Sequence, residues 1–502
     1  MPASTTLLQR LLAAGAALSL VAALGASAGV ARAITPPTIT VLDIHPSDDS
    51  DALDDDDTEA VAVGDLLLFA AEDATHGRDL YKSDGTVAGT VLVKDINPTG
   101  DARIRYMVAI GDTAYFRADD GTNGVELWKS DGTAAGTVMV KDIRPGVSSY
   151  PEDLVVAGST IYFTANDGTN NYELWKSNGT EAGTVMVKNI NPFGYSDPAN
   201  FLAIGSTIYF HADNGTDGHE LWKSDGTEAG TVMVKNINPS GDSDPDYLVA
   251  LGSTLYFRAD NGTDGYELWK SDGTEAGTVM VKNINPSAGS YVRDLTVLGS
   301  AIYFEATDGT NGYELWKSDG TEAGTAMVKD INPSGDSFPN NITVLGSAIY
   351  FEASNGTNGA ELWKSDGTEA GTVMVKDIDL IGGSGPDVIT RHGNLIYFQA
   401  DGDSGIEMYL SDGTEAGTMR IPAPTATDYI NCDCYDNSVM STSIGVFFSY
   451  YDSTIGHELG FIADRLPETN TNSSALTLAL LALSGALAAG AVIARRTELR
   501  AN

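Results

Sequence analysis

Carboxylates are the residues in this chain best placed to do chemistry. The 502-residue sequence holds 69 Asp and Glu against 29 Lys and Arg, for a formal net charge of −40. They are densest in "DDSDALDDDD", residues 48–57, where Asp54, Asp55, Asp56 and Asp57 stand in succession. Crowded carboxylates repel one another, and a divalent cation held by their hard oxygens relieves that repulsion, so these four are candidate Ca²⁺ ligands. An Asp run is equally what a solvated loop presents, and the spacing of an EF-hand loop is absent. No motif requires a cofactor, and calcium is the one ion the residues suggest. The same charge excludes a nucleic-acid partner, because no basic surface is present to neutralise phosphates.

Sulfur and imidazole offer less. Cys432 and Cys434 are the only cysteines, in "NCDCYD"; in an exported chain they read as a local disulfide or as idle thiols, with no neighbouring Cys or His to complete a metal site. His219 and His457 occupy a slot that other copies of a repeated word fill with Tyr172, Tyr266, Tyr313, Val125 or Ala360, which marks a tolerant position. No His-x-x-x-His, Ser/His/Asp or Cys/His grouping emerges. The expectation is a protein that is not an enzyme.

The elements that position these residues are set by that repeated word. "YELWKSDGTEAGTVMVKNINPS" covers residues 266–287, and its Trp recurs as Trp128, Trp175, Trp222, Trp269, Trp316 and Trp363, with Tyr81 and Tyr409 in degenerate copies. A fixed period of this size means a solenoid, a propeller or an array. Within one period, residues 293–331, four short runs of β-branched, aromatic and aliphatic residues ("DLTVL", "AIYFEA", "YELWKS", "TAMVKDI") are separated by Gly, Asp and Asn, hence four strands. Three tight reversals and a longer link to the next unit fit a β-propeller blade, with strands named A to D from the axis outward. The fold expected is therefore all-β: a single propeller of four-stranded blades over residues 34–464. Nine units are counted, eight being the alternative. After the eighth copy, "VFFSYYDSTIGHELGFIAD" supplies strands B and C but no D, whereas "TITVLDIHPS" near the start reads like "TVMVKDINPS". An N-terminal strand is thus expected to complete the last C-terminal blade, closing the ring and removing its sheet edges.

Along strand C, Trp and Glu share one face and Leu takes the other, so Trp and Leu are expected between neighbouring blades. "DGT" supplies a turn in which Gly takes positive φ and Asp and Thr bond local N–H groups. The residue after "YF" runs Arg117, Thr164, His211, Arg258, Glu305, Glu352, Gln399, which reads as a solvated or channel-near position. Loops B–C and D–A fall on one face and are acidic, so a glycan or protein ligand is expected there.

The motif E-L-W-x-x-D-G-T-x-x-G-T, as in Glu314-Leu315-Trp316, Asp319-Gly320-Thr321 and Gly324-Thr325, resembles the bacterial ELWxxDGT repeat proteins over about residues 60–420. That resemblance implies an exported repeat protein of propeller type and no particular activity. The A–B hairpin resembles kelch blades, and the DGT turn resembles the Asp-box of sialidase-type propellers, a structural turn.

The ends read as targeting segments. Residues 1–33 resemble a secretory signal with cleavage between Ala33 and Ile34. Residues 465–474 form a linker in which Leu466-Pro467-Glu468-Thr469 resembles a sortase signal, with Asn470 where Gly is usual. Residues 475–502 comprise a 20-residue apolar anchor, also similar to exosortase-type signals, and a basic tail. The combined expectation is an exported, surface-anchored propeller that binds, adheres or displays, attached to membrane or cell wall through its C-terminus. The rivals are an extracellular polysaccharide hydrolase or lyase on a propeller scaffold and a structural surface-coat component.

Overall fold

Short runs of alternating large and small side chains, each ended by Gly or Asp, become nine antiparallel sheets of four strands. The computed structural model describes residues 36–46, 48–53, 59–402, 405–424, 439–452 and 456–464. Blade 1 comprises β2 to β5 (Ala60–Val63, Leu66–Ala71, Asp79–Ser83, Val91–Lys94). Blades 2 to 8 follow in the same A–B–C–D order, from Arg105–Ile110 to Met419–Arg420. Blade 6, in the middle of the most regular copies, has strands Arg293–Leu298, Ala301–Thr307, Tyr313–Ser318 and Ala326–Lys329.

Blade 9 is composite. Its strands A to C are Val439–Ser441, Gly445–Asp452 and Gly456–Ala463, and its outermost strand is β1, Thr40–Leu42, from the other end of the chain. The register pairs Thr40 with Phe461, Val41 with Gly460 and Leu42 with Leu459. The expected head-to-tail closure and the count of nine are both observed.

The core lies between blades. In strand B, Phe304 turns back toward blade 5 and packs with Trp316 against Tyr256, Leu268, Val281 and Ile284 of that blade. Tyr303 and Leu315 turn forward against Ile349, Phe351 and Trp363 of blade 7. Equivalent clusters fill the other seams, and one joins Leu42, Phe447 and Leu459 of blade 9 to Leu67, Phe69 and Tyr81 of blade 1. The Phe of every "YF" pair is fully buried. Burial of each such ring is worth about 1.5–3 kcal/mol, and a lone sheet with two exposed apolar faces would realise none of it, so the blades stabilise one another.

Candidate functional site

Strand C has an acidic residue near each end, and the two are used differently. At the C–D turn of blade 6, Thr321 donates to Asp319 Oδ1 from its backbone N–H (2.9 Å) and its hydroxyl (2.7 Å), and Gly324 N–H donates to Thr321 Oγ1 (3.0 Å). Ser318 and Thr325 hydroxyls meet at 2.7 Å. The Thr321 hydroxyl and N–H hold the Asp319 carboxyl below its usual range. Gly320 sits at φ +84° with Tyr256 of blade 5 over its Cα, leaving no space for a Cβ. Lys270 of blade 5 donates to the Gly320 carbonyl (2.8 Å), and Lys282 donates to the Thr325 carbonyl (2.8 Å) while standing 5.9 Å from the Trp316 ring centre. The DGT turn is thus a structural clamp, as expected, and in blades 2 to 8 two Lys straps tie the turn to the blade before it.

At the other end, the Glu of ELW is buried. Glu314 accepts from Ile331 N–H (2.8 Å), Asn332 N–H (3.2 Å) and the Ser337 hydroxyl (2.8 Å), all in the D–A link that leads to blade 7. Burial pushes its carboxyl up to about 7, as it does for Glu126 and Glu173. In blade 9 the same slot holds Glu458, raised by burial to about 8, which accepts from Ile44 N–H (2.8 Å) and His45 N–H (3.2 Å) and so fastens the closing segment. The sequence had placed this Glu on the Trp face but assigned it no role.

The residues preceding that Glu bond to the D–A link through their backbone: the His219 carbonyl accepts from Ser243 N–H (2.9 Å) and the His457 carbonyl from Ser50 N–H (2.7 Å). Any side chain is therefore allowed there. The rings of His219 and His211 meet edge to face at 5.3 Å.

The row after "YF", expected to be solvated or channel-near, is not solvated. Thr164, Glu305 and Gln399 are buried, and Arg117, His211, Arg258 and Glu352 are half-buried. These side chains wedge between blades where the innermost strand bulges. In blade 5 the pairing jumps from Asp246–Arg258 to Val249–Tyr256, and Tyr247 takes φ +52°. Tyr106, Asp153, Asn200, Asp294, Asn341 and Val388 adopt the same left-handed conformation in their blades, which costs a residue with a Cβ about 1–2 kcal/mol. The bulge bends strand A away and opens a slot for the neighbouring side chain.

Arg258 fills its slot with a salt bridge to Asp246 (2.9 Å), its guanidinium 4.8 Å from the ring centres of both Tyr247 and Tyr266. Arg117 reaches across the seam to Glu152 (2.7 Å) and lies 4.8 Å from Tyr106. Burial, then Asp294, pushes the Glu305 carboxyl up to about 7; burial, then Asp387, does the same for Glu352. Beside them the A strands of blades 5 to 8 line a cavity of about 440 Å³ at the channel wall, with Tyr247, Asp294, Asn341 and Val388 on its surface.

Among the described residues no group of three or more His, Cys, Asp or Glu is arranged to hold a metal. The acidic B–C loops turn inward on themselves: Asp308 Oδ1 accepts from Thr310 and Asn311 N–H groups, both at 2.9 Å. Asp54, Asp55, Asp56 and Asp57 lie outside the described residues, as do Cys432, Cys434, Ala33, Ile34, Leu466, Pro467, Glu468 and Thr469. No helix among the described residues is long and apolar enough to cross a membrane.

No protein-family model and no curated relative matches the chain. Among solved structures it is similar to puromycin hydrolase (13% identity, 69% of this chain and 58% of that one, TM-score 0.36). It is also similar to a prolyl endopeptidase structure (10% identity, 72% and 55%, TM-score 0.40). A third likeness is to the β-propeller domain of the Trilobed protease from Pyrococcus furiosus (10% identity, 64% and 97%, TM-score 0.33). The chain thus spans little more than half the length of the first two, and its own sheet order is what defines it as a propeller.

Proposed function

We propose that this chain is an exported, surface-held binding propeller of the ELWxxDGT repeat type, without catalytic activity, whose ligand sits on the loop face at the channel mouth. The carrying observation is where the repeat varies. Repeat-invariant polar groups are engaged in scaffold bonds, such as those of Asp319, Thr321, Glu314 and Lys270. The varied ones include strand A residues that line the 440 Å³ cavity, Tyr247, Asp294 and Asn341, and also Arg258, Glu305 and Glu352, which pair with the strand A residues just before those. Side chains that differ from blade to blade on an otherwise uniform ring are what selective recognition requires. Export and anchoring rest on the terminal segments alone.

One observation favours a second reading, a polysaccharide hydrolase or lyase: Glu305 and Glu352 hold protons near neutrality, as a general acid must. A single screen separates the two. The purified full chain, applied to an array of glycans and matrix proteins with and without EDTA, is expected to bind at least one class saturably, with Arg258→Ala weakening the interaction. Product release from polysaccharide would replace the binding reading with the hydrolytic one, and an array without any binder would remove both. Loss of binding in EDTA would assign calcium a role.

A further inference from the structure

Four aromatic rings cross the loop face of blades 5 to 7 in a row. Tyr266 and Tyr313 begin strand C of blades 5 and 6; Tyr291 and Phe338 come from the D–A links that follow. Successive ring centres are 6.4 Å (Tyr266 to Tyr291), 6.5 Å (Tyr291 to Tyr313) and 5.5 Å (Tyr313 to Phe338) apart. Tyr291 and Phe338 are 41% and 54% exposed. Each is held in the left-handed region, at φ +51° and +47°, and each donates its N–H to the carbonyl of the strand-C Tyr at 3.2 Å, so backbone geometry fixes the direction in which each side chain leaves the link.

The row has ends. On one side it abuts the Arg258 guanidinium and Tyr247. On the other, the equivalent slots hold Ala360 and Gly385, and toward blade 4 they hold His219 and Asp244. We infer that this row is a stacking platform for a linear, uncharged polysaccharide, running along the ring from blade 5 to blade 7. The inference deepens the channel-mouth reading and rests on it.

The choice of an uncharged, hydroxyl-rich ligand follows from the neighbouring charges. Asp244 is bound by the Tyr266 hydroxyl (3.0 Å), Asp246 by Arg258 (2.9 Å) and Asp336 by Tyr313 N–H (2.9 Å). Asp246 is neutralised by Arg258, while Asp244 and Asp336 accept from neutral donors and keep both their charge and spare lone pairs for hydroxyl groups, which makes a cationic polymer the necessary control. An anionic polymer meets a chain of net charge −40. Flat sugar faces match aromatic rings without needing any charge, and rigid Tyr and Phe present that area at low entropic cost.

The test is calorimetric titration of the full chain with cellohexaose, laminarihexaose, mannohexaose and chitohexaose, with poly-lysine as the cationic alternative. At least one oligosaccharide is expected to bind. The double variant Tyr291→Ala/Phe338→Ala is expected to lower its affinity about tenfold or more, while Phe193→Ala, an exposed ring outside the row, leaves it unchanged. If the double variant fails to fold by its thermal midpoint, Phe338→Ala alone carries the comparison. Undiminished affinity in the ring variants, with Arg258→Ala still weakening binding, overturns the platform and leaves the channel mouth as the site. No oligosaccharide binding, together with an array empty of ligands, overturns both readings. Ring-dependent binding of poly-lysine alone overturns the uncharged ligand.

Discussion

The two ends of strand C teach opposite lessons from the same kind of side chain. At the turn end, Asp319 is exposed and bonds within its own turn, and its environment favours the charged form. At the loop end, Glu314 is fully buried and organises a link 17 to 23 residues away, and its environment favours the neutral form. Local motifs can be read along the chain, whereas motifs that join one blade to the next depend on a geometry that only the ring creates.

The largest expected effect involves most blades at once. A carboxyl whose pKa is raised by folding binds its proton more tightly in the native state, so the stability it contributes is present in mild acid and lost as pH rises through the folded value. For the Glu row this window runs from about 4.5 to about 7, and to about 8 for Glu458. The Asp row acts oppositely: its depressed values contribute stability that is lost only as pH falls below about 3.8. The thermal midpoint of the full chain is expected to rise as pH is lowered from about 8 to about 5 and to fall again below about 3.8. A midpoint that climbs steadily from pH 5 to pH 8 would contradict the buried, near-neutral Glu row.

Next in size is Glu314→Ala, which leaves the buried N–H groups of Ile331 and Asn332 without an acceptor, at a cost of about 3 kcal/mol. Hydrogen exchange at those two amides is expected to accelerate about a hundredfold. Glu314→Gln, which keeps one acceptor oxygen, is expected to cost about 1 kcal/mol. Equal exchange rates in all three proteins would show that the link is held by something else.

An effect smaller than that of Glu314→Ala belongs to the turn end. Gly320→Ala is expected to lose about 1–2 kcal/mol by denaturant titration for its left-handed backbone, plus a steric term against Tyr256. Part of that steric term is recovered when Tyr256→Phe removes the hydroxyl. Full recovery would mean that backbone conformation contributes nothing at this turn.

Most of the fold was legible because it is written locally: four strands per period, the DGT turn, and the echo of "TVMVKDINPS" in "TITVLDIHPS". The site was less so. Arg258 and Glu305 looked solvated or channel-near because they are polar and variable, yet the bulge beside Tyr247 and Asp294 gives them an interior slot that alternation along strand B cannot reveal. Tyr266 and Tyr313 looked merely tolerated, because the partners that turn them into a row, Tyr291 and Phe338, sit 25 residues further on in each case. The variation itself was the signal; its meaning needed the ring.

The seam at blade 9 has a mechanical consequence. Because β1 and its partner run antiparallel with Thr40 beside Phe461, the segments entering at residue 36 and leaving at residue 464 emerge side by side. Tension applied between those two segments would peel three residue pairs apart one after another, instead of loading them together in shear. The ring would then open at low force from its rim, while a pull on one segment alone would leave the latch untouched.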